Sequence, residues 1–98
     1  IYDRVGIIGD ATSTGWDSDT AMMRNAEFDP HNWYLHDVEL GNGELKFRAN
    51  DAWDVSWGST TSYSGVGELG GPNIPVTSGV YDIWFNDLTG EYQLIPQD

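Results

Sequence analysis

Residues that disfavour helix interrupt this sequence before any stretch of about ten residues is complete. Twelve Gly and four Pro, together with frequent Asn, Asp, Ser and Thr, divide the chain. Between them, short runs rich in β-branched and aromatic residues recur at regular spacing, which is typical of sandwich folds. We therefore predict an all-β, immunoglobulin-like antiparallel β-sandwich of about seven or eight short strands.

The predicted strands follow from these runs, with an edge strand placed within residues 22–28. The strands are 5–8, 22–28, 33–40, 44–50, 53–57, 80–86 and 91–95. The Gly41-Asn42-Gly43 turn predicts a hairpin between the third and fourth of them. Residues 58–72 contain five Gly without periodicity and predict a loop.

Alternation of apolar residues predicts which strand faces are buried. In the third strand the apolar positions change parity, which predicts a β-bulge near His36 and Asp37. In the last hairpin the core face holds Tyr81, Ile83, Phe85, Tyr92 and Leu94. Trp84 falls on the other face, either under a loop or as a surface ring.

Length and charge limit the classes of function. We expect residues 1–98 to form one domain, cut from a longer protein because the chain begins at Ile1. The net charge of −12 disfavours nucleic acid, and no apolar run suits insertion into a membrane. No cofactor is expected; the acids Asp17 and Asp19, joined by Asp10, leave structural calcium open.

Residues 44–50 carry the main functional signal. Leu45, Phe47 and Ala49 alternate with Lys46, Arg48 and Asn50, so two of the four basic residues share one strand face. These cations either form cross-strand ion pairs or donate hydrogen bonds to sugar hydroxyls.

Three tryptophans stand beside turn residues, where rings tend to be partly exposed. Trp16, Trp53 and Trp57 could stack on pyranose rings, while Lys, Arg and Asn bind hydroxyls. Trp53, Val55 and Trp57 stand at alternate positions, so their side chains would share one strand face. If Val55 is buried in the core, we expect at least one of the two indoles to be buried with it.

Several motifs occur in an order that resembles the carbohydrate-binding domains of the SusE/SusF family, over about residues 5–94. They are Gly9-Asp10-Ala11-Thr12, Gly15-Trp16-Asp17, Lys46-Phe47-Arg48-Ala49-Asn50 with Trp53, Gly70-Gly71-Pro72-Asn73-Ile74 and Gly79-Val80-Tyr81. The resemblance implies a non-catalytic domain of a Gram-negative surface lipoprotein, in tandem with similar domains that hold starch. It places the domain outside the cell, at the outer membrane or secreted.

The chain is also similar, more distantly, to glycogen- and starch-binding modules. Trp16, Lys46, Trp53 and Asn73 follow their pattern, with Trp53 seven positions after Lys46. The likeness implies that both indoles stack on a curved α-glucan while Lys46 and Asn73 bind hydroxyls. Strand parity and proximity add Arg48, Asn50 and Trp57 to this candidate site.

We therefore predict a monomeric glucan-binding module, with starch-type α-glucan first and a laminarin-type β-glucan second. No nucleophile motif is present and the two His lie near one turn, so an enzyme is disfavoured. A structural or protein-interaction spacer domain stays open. The spacer predicts buried Trp16 and Trp53, whereas the binding module predicts exposed rings near Lys46.

Overall fold

The computed structural model describes residues 2–25 and 29–97, and within them the chain forms β-strands and no helix. The all-β prediction is confirmed, with more strands than expected. The eleven strands are β1 (Val5–Ile8), β2 (Thr20–Ala21), β3 (Met23–Arg24), β4 (Asn32–Leu40), β5 (Gly43–Ala49), β6 (Ser56–Gly58), β7 (Ser64–Val66), β8 (Glu68–Leu69), β9 (Ile74–Val76), β10 (Gly79–Asn86) and β11 (Glu91–Gln97). The predicted edge strand is present as β3, and its residues 26–28 lie outside the described part. No helix able to cross a membrane occurs in the described ranges.

The strands form two antiparallel sheets that enclose one core. The first sheet has the order β2-β1-β5-β6-β8, with β9 also paired to β5; the second has the order β3-β4-β10-β11-β7. Phe47 of the first sheet stacks on Phe85 of the second, with ring centroids 4.3 Å apart and planes 8° from parallel. Two sheets with this contact form a β-sandwich.

Side-chain alternation decides which residues enter that core, as the sequence predicted. Leu45, Phe47 and Ala49 of β5 are buried, while the intervening cations lie on the outer face of the sheet. The predicted core residues of the last hairpin are all buried: Tyr81, Ile83, Phe85, Tyr92 and Leu94. Burial of these apolar side chains is the main term that stabilises the sandwich.

The predicted bulge in β4 is present. Val38 pairs with Tyr81 and Leu35 with Ile83, so two residues of β4 face the single residue Asp82. Asp37 adopts a φ of 54°, and its N–H donates to Asp82 Oδ1 at 3.0 Å. The extra residue resets the parity of β4, which lets both of its apolar halves face the core.

The predicted hairpin between 33–40 and 44–50 is wrong, because β4 and β5 belong to different sheets. Leu40 and Leu45 are both buried in the core, so the 41–43 turn carries the chain from one sheet to the other. The Gly41 N–H donates to the Ala11 carbonyl at 2.8 Å, which holds this crossing against the loop after β1.

Two further boundaries differ from the prediction. The 53–57 strand begins only at Ser56, because Trp53 lies in a turn. The 58–72 segment contains β7 and β8, which pair with β11 and β6. Edge strands this short carry too few residues for a periodic signal.

Candidate functional site

Two exposed indoles lie above the outer face of the first sheet. Trp16 is 40% exposed and Trp53 is 51% exposed. Their ring centroids are 6.1 Å apart and their planes meet at 35°. We call this pair of rings the platform; their exposure matches the binding hypothesis and departs from the buried rings that a spacer domain predicts.

A tight turn after β5 positions Trp53. Asn50 and Asp51 take φ values of 56° and 55°, a left-handed conformation that Asn and Asp tolerate better than most residues. The Asn50 N–H donates to the Arg4 carbonyl at 2.8 Å, and Asn50 Oδ1 accepts from the Arg4 N–H at 3.2 Å. Arg4 also forms an ion pair with Asp51. The turn is therefore fixed to the segment before β1.

Trp16 lies in a loop of successive turns after β1. Thr12 Oγ1 donates to the Gly9 carbonyl at 2.8 Å, and the Gly9 N–H donates to the Gly15 carbonyl at 3.1 Å. Gly15 has a φ of 61°, a conformation that favours glycine. These bonds set the position of the next residue, Trp16, without help from a regular strand.

Lys46 and Arg48 lie beneath Trp53. Arg48 Cζ is 4.8 Å from the ring centroid and Lys46 Nζ is 5.8 Å from it, both within the range of cation–π attraction. Lys46 is 9% exposed and Arg48 is 8% exposed, and burial lowers the pKa of the Lys46 ammonium. The Trp53 indole therefore lies against two cations while half of the residue stays exposed to solvent.

Both cations have partners inside the molecule. Lys46 Nζ donates to the Gly71 carbonyl at 2.5 Å, and Arg48 Nε donates to Asp19 Oδ1 at 2.5 Å. The ion-pair alternative is thus realised for Arg48. Both side chains lie against Trp53, and each donates one N–H to a partner within the protein.

Asp19 is a residue of this site that the sequence reasoning missed, since it was considered only for calcium. Its side chain is 3% exposed, and its Oδ2 has no hydrogen-bond partner among the described residues. Burial raises the pKa of this carboxyl, Arg48 opposes that shift, and Asp51 adds to it. The one local signal is Gly6, which pairs with Arg48: a Cβ there would lie 2.9 Å from Asp19 Cβ. The missing side chain at Gly6 leaves space for Asp19 to reach Arg48.

The other three predicted site residues lie in different places: Asn73 at the rim of the platform, Asn50 in the turn after β5, and Trp57 in the core. Asn73 Nδ2 donates to Glu44 Oε1 at 3.2 Å, and Asn73 precedes Ile74, which pairs with Leu45 next to Lys46. Asn50 holds the turn described above. Trp57 was wrongly included, because it is 4% exposed and packs edge-on against Phe85 with centroids 4.9 Å apart.

Two of the three acids considered for calcium have other partners in this structure. Asp10 Oδ1 accepts from the Glu44 N–H at 2.7 Å, and Asp19 pairs with Arg48. Among the described residues, no three His, Cys, Asp or Glu side chains are grouped to hold a metal ion.

Comparison with known proteins gives one informative similarity. The chain is 36% identical over 76 residues to an amylopullulanase of Thermoanaerobacter thermohydrosulfuricus. The matched segment covers 74% of this chain but only 5% of that enzyme. No family model matches the chain. No solved structure matches it either. A small all-β domain thus resembles one part of a much larger enzyme.

Proposed function

We propose that this domain is a non-catalytic carbohydrate-binding module that holds an α-glucan chain on the Trp16–Trp53 platform. The observation that carries the proposal is the pair of exposed indoles, 6.1 Å apart and inclined by 35°. Indole faces suit the CH-lined faces of pyranose rings. Inclined faces suit a chain that curves, as starch-type glucans do, better than a flat ribbon.

The surroundings of the platform support a neutral ligand. Arg48 is paired with the Asp19 carboxylate, and the net charge of −12 repels an anionic ligand. Asn73 and Glu44 at the rim offer amide and carboxylate groups to hydroxyls. Trp53 lies against Arg48 and Lys46 before any ligand arrives, which reduces the entropy lost on binding.

The energetics favour a weak single site. Covering about 100 Å² of each ring contributes roughly 2–3 kcal/mol per ring at about 25 cal/mol per Å². After the cost of ordering a flexible glycan, a dissociation constant of about 10 μM to 1 mM is expected. Such affinities suit a domain that occurs beside others on one polymer-binding protein.

The similarity to an amylopullulanase points to the same ligand class. That enzyme's name indicates action on amylose-type glucan and pullulan, and the matched segment is 5% of its length. A segment this small fits an accessory module better than a catalytic domain. We further propose that the domain lies outside the cell, where polymeric glucan is met, and that it is a starch-binding domain of the SusE/SusF type.

Calorimetric titration with maltoheptaose tests the proposal, with a laminarin oligosaccharide in parallel. The wild type should bind maltoheptaose, and Trp53→Ala should weaken binding at the platform at least about tenfold. Leu88→Ala is the matched control, because Leu88 is an apolar side chain 73% exposed on the β10–β11 turn. Its affinity should equal that of the wild type.

Each other outcome has a distinct meaning. Binding of laminarin alone keeps a sugar-binding platform but rejects the α-glucan. Binding that keeps both the affinity and the stoichiometry of the wild type in Trp53→Ala places the sugar elsewhere. Absence of binding to both oligosaccharides rejects the proposal and favours a spacer domain.

A further inference from the structure

A second concave surface lies on the outer face of the other sheet, across the sandwich from the platform. Outward-facing residues of β4, β10, β11 and β7 line a groove of about 450 Å³. Trp84 pairs with Tyr34 on one side and with Gln93 on the other, and Gln93 pairs with Ser64. The groove therefore follows one row of side chains across the sheet. Its size lies within the range of small-molecule sites.

Trp84 forms the aromatic wall of this groove. Its ring lies 5.4 Å from that of Tyr34, with planes 36° apart, and 5.9 Å from the His36 ring in an edge-on contact. Two rings thus hold the indole from one side. Trp84 is half-buried and also lines the groove, so it joins the aromatic cluster to the open surface.

Polar groups of fixed orientation stand next to that wall. Asn86 Nδ2 donates to Asn32 Oδ1 at 2.7 Å, while Asn86 Oδ1 accepts from the Leu88 and Thr89 N–H groups at 2.9 Å each. The Gln93 side chain is exposed and makes no hydrogen bond to the described residues. Its amide offers both donors and an acceptor to a ligand.

The lining chemistry selects a neutral, hydroxyl-rich ligand. The groove residues, all in the described part of the chain, include one carboxylate, Glu91, and no basic side chain. An anionic ligand would be repelled by Glu91, and a purely apolar one would leave the Gln93 amide unpaired. A flat indole beside amides and a carboxylate matches a pyranose ring with its hydroxyl edge.

We infer that the Trp84 groove is a second carbohydrate-binding site, which takes a glucose unit of a neutral glucan. It shares its ligand class with the proposed function but not its residues. Because the two sites lie on the outer faces of opposite sheets, each binds without the other.

Nitrogen-15 NMR titration with maltoheptaose, to about 10 mM, tests this inference. The signals to follow are the Trp84 indole N–H and the Asn86 and Gln93 side-chain amides. They should shift in the wild type and, with the same dissociation constant, in Trp53→Ala. Gln93→Ala should weaken this binding roughly fivefold, because the variant loses about one hydrogen bond to the ligand. Gln97→Ala, on the same strand beyond the groove, should leave it unchanged.

The two sites fail separately. If the Trp16 indole responds while Trp84 stays silent, the groove is not a sugar site and the platform stands. If Trp84 responds while Trp16 and Trp53 do not, the groove stands and the platform is rejected. Silence of all three indoles rejects both.

Discussion

The Asp19–Arg48 pair gives the sharpest test of how the site is built. Its side chains are 3% and 9% exposed and meet at 2.5 Å. Asp19→Ala strands the guanidinium of Arg48 in a nearly dry position, and breaking a buried pair in this way costs about 3–5 kcal/mol. A domain of this length is stable by about 5–15 kcal/mol, so the loss is a large fraction of the total.

Removing both charges should cost much less than removing one. In Asp19→Ala/Arg48→Met no charge is left without a partner, and apolar replacement of a buried pair is often close to neutral. The cation–π contact with Trp53 is lost in the double variant, which costs about 0.5–2 kcal/mol. The double variant is therefore expected between the wild type and Asp19→Ala.

Urea denaturation followed by tryptophan fluorescence measures these differences. With a slope of about 1–3 kcal/mol per M, Asp19→Ala should lower the midpoint by about 2 M. Asp17→Ala, an exposed acid two positions away, should stay within about 0.5 kcal/mol of the wild type. A loss below about 1 kcal/mol in Asp19→Ala, or no recovery in the double variant, would refute the reasoning.

Three further predictions follow from other contacts. Burial raises the pKa of Asp19, so the folded domain holds this proton more tightly than the unfolded chain. Its contribution to stability therefore grows as pH falls through the raised pKa. In urea titrations the free energy of unfolding of the wild type should rise relative to that of Asp19→Asn as the pH is lowered from neutral. Gly58→Ala should cost about 1–3 kcal/mol in thermal melts, because its Cβ would meet a backbone oxygen at 1.8 Å. Gly41→Ala, with its nearest atom at 4.0 Å, should be neutral, and equal melts for the two would contradict this. Asp87→Ala leaves the buried Trp33 Nε1 without its acceptor and should cost about 1–3 kcal/mol; an unchanged urea midpoint would count against that bond.

Local patterns predicted the parts of the fold that depend on neighbouring residues. The alternation in β5, β10 and β11 gave the buried faces, and the parity change at His36 gave the bulge. These features follow from the two-residue period of a strand, which can be recognised from a few consecutive residues.

Features that depend on distant segments were not predictable in this way. The 41–43 turn has the local sequence of a hairpin turn. However, β4 pairs with β3 and β10 while β5 pairs with β1, β6 and β9, so the two strands belong to different sheets. Trp53 and Trp57 are four positions apart, so a continuous strand would place both side chains on the same face. The turn after β5 interrupts the strand, and only Trp57 is buried in the core. The partner of Arg48 lies 29 positions away in the sequence. The strand pattern around Arg48 therefore identified the cation as a site residue but could not identify Asp19 as its partner.

The pairing of the basic side chains affects how copies of the domain interact with one another in solution. All four lie in the described part of the chain, and each has a partner within the same molecule: Arg4 with Asp51, Arg24 with the Tyr2 carbonyl, Lys46 with the Gly71 carbonyl, and Arg48 with Asp19. With a net charge of −12, the field outside the molecule is set by carboxylates. Copies of the domain therefore repel one another at low ionic strength. Salt screens this repulsion over a Debye length of about 10 Å at 0.1 M, so the osmotic second virial coefficient should fall as salt is added.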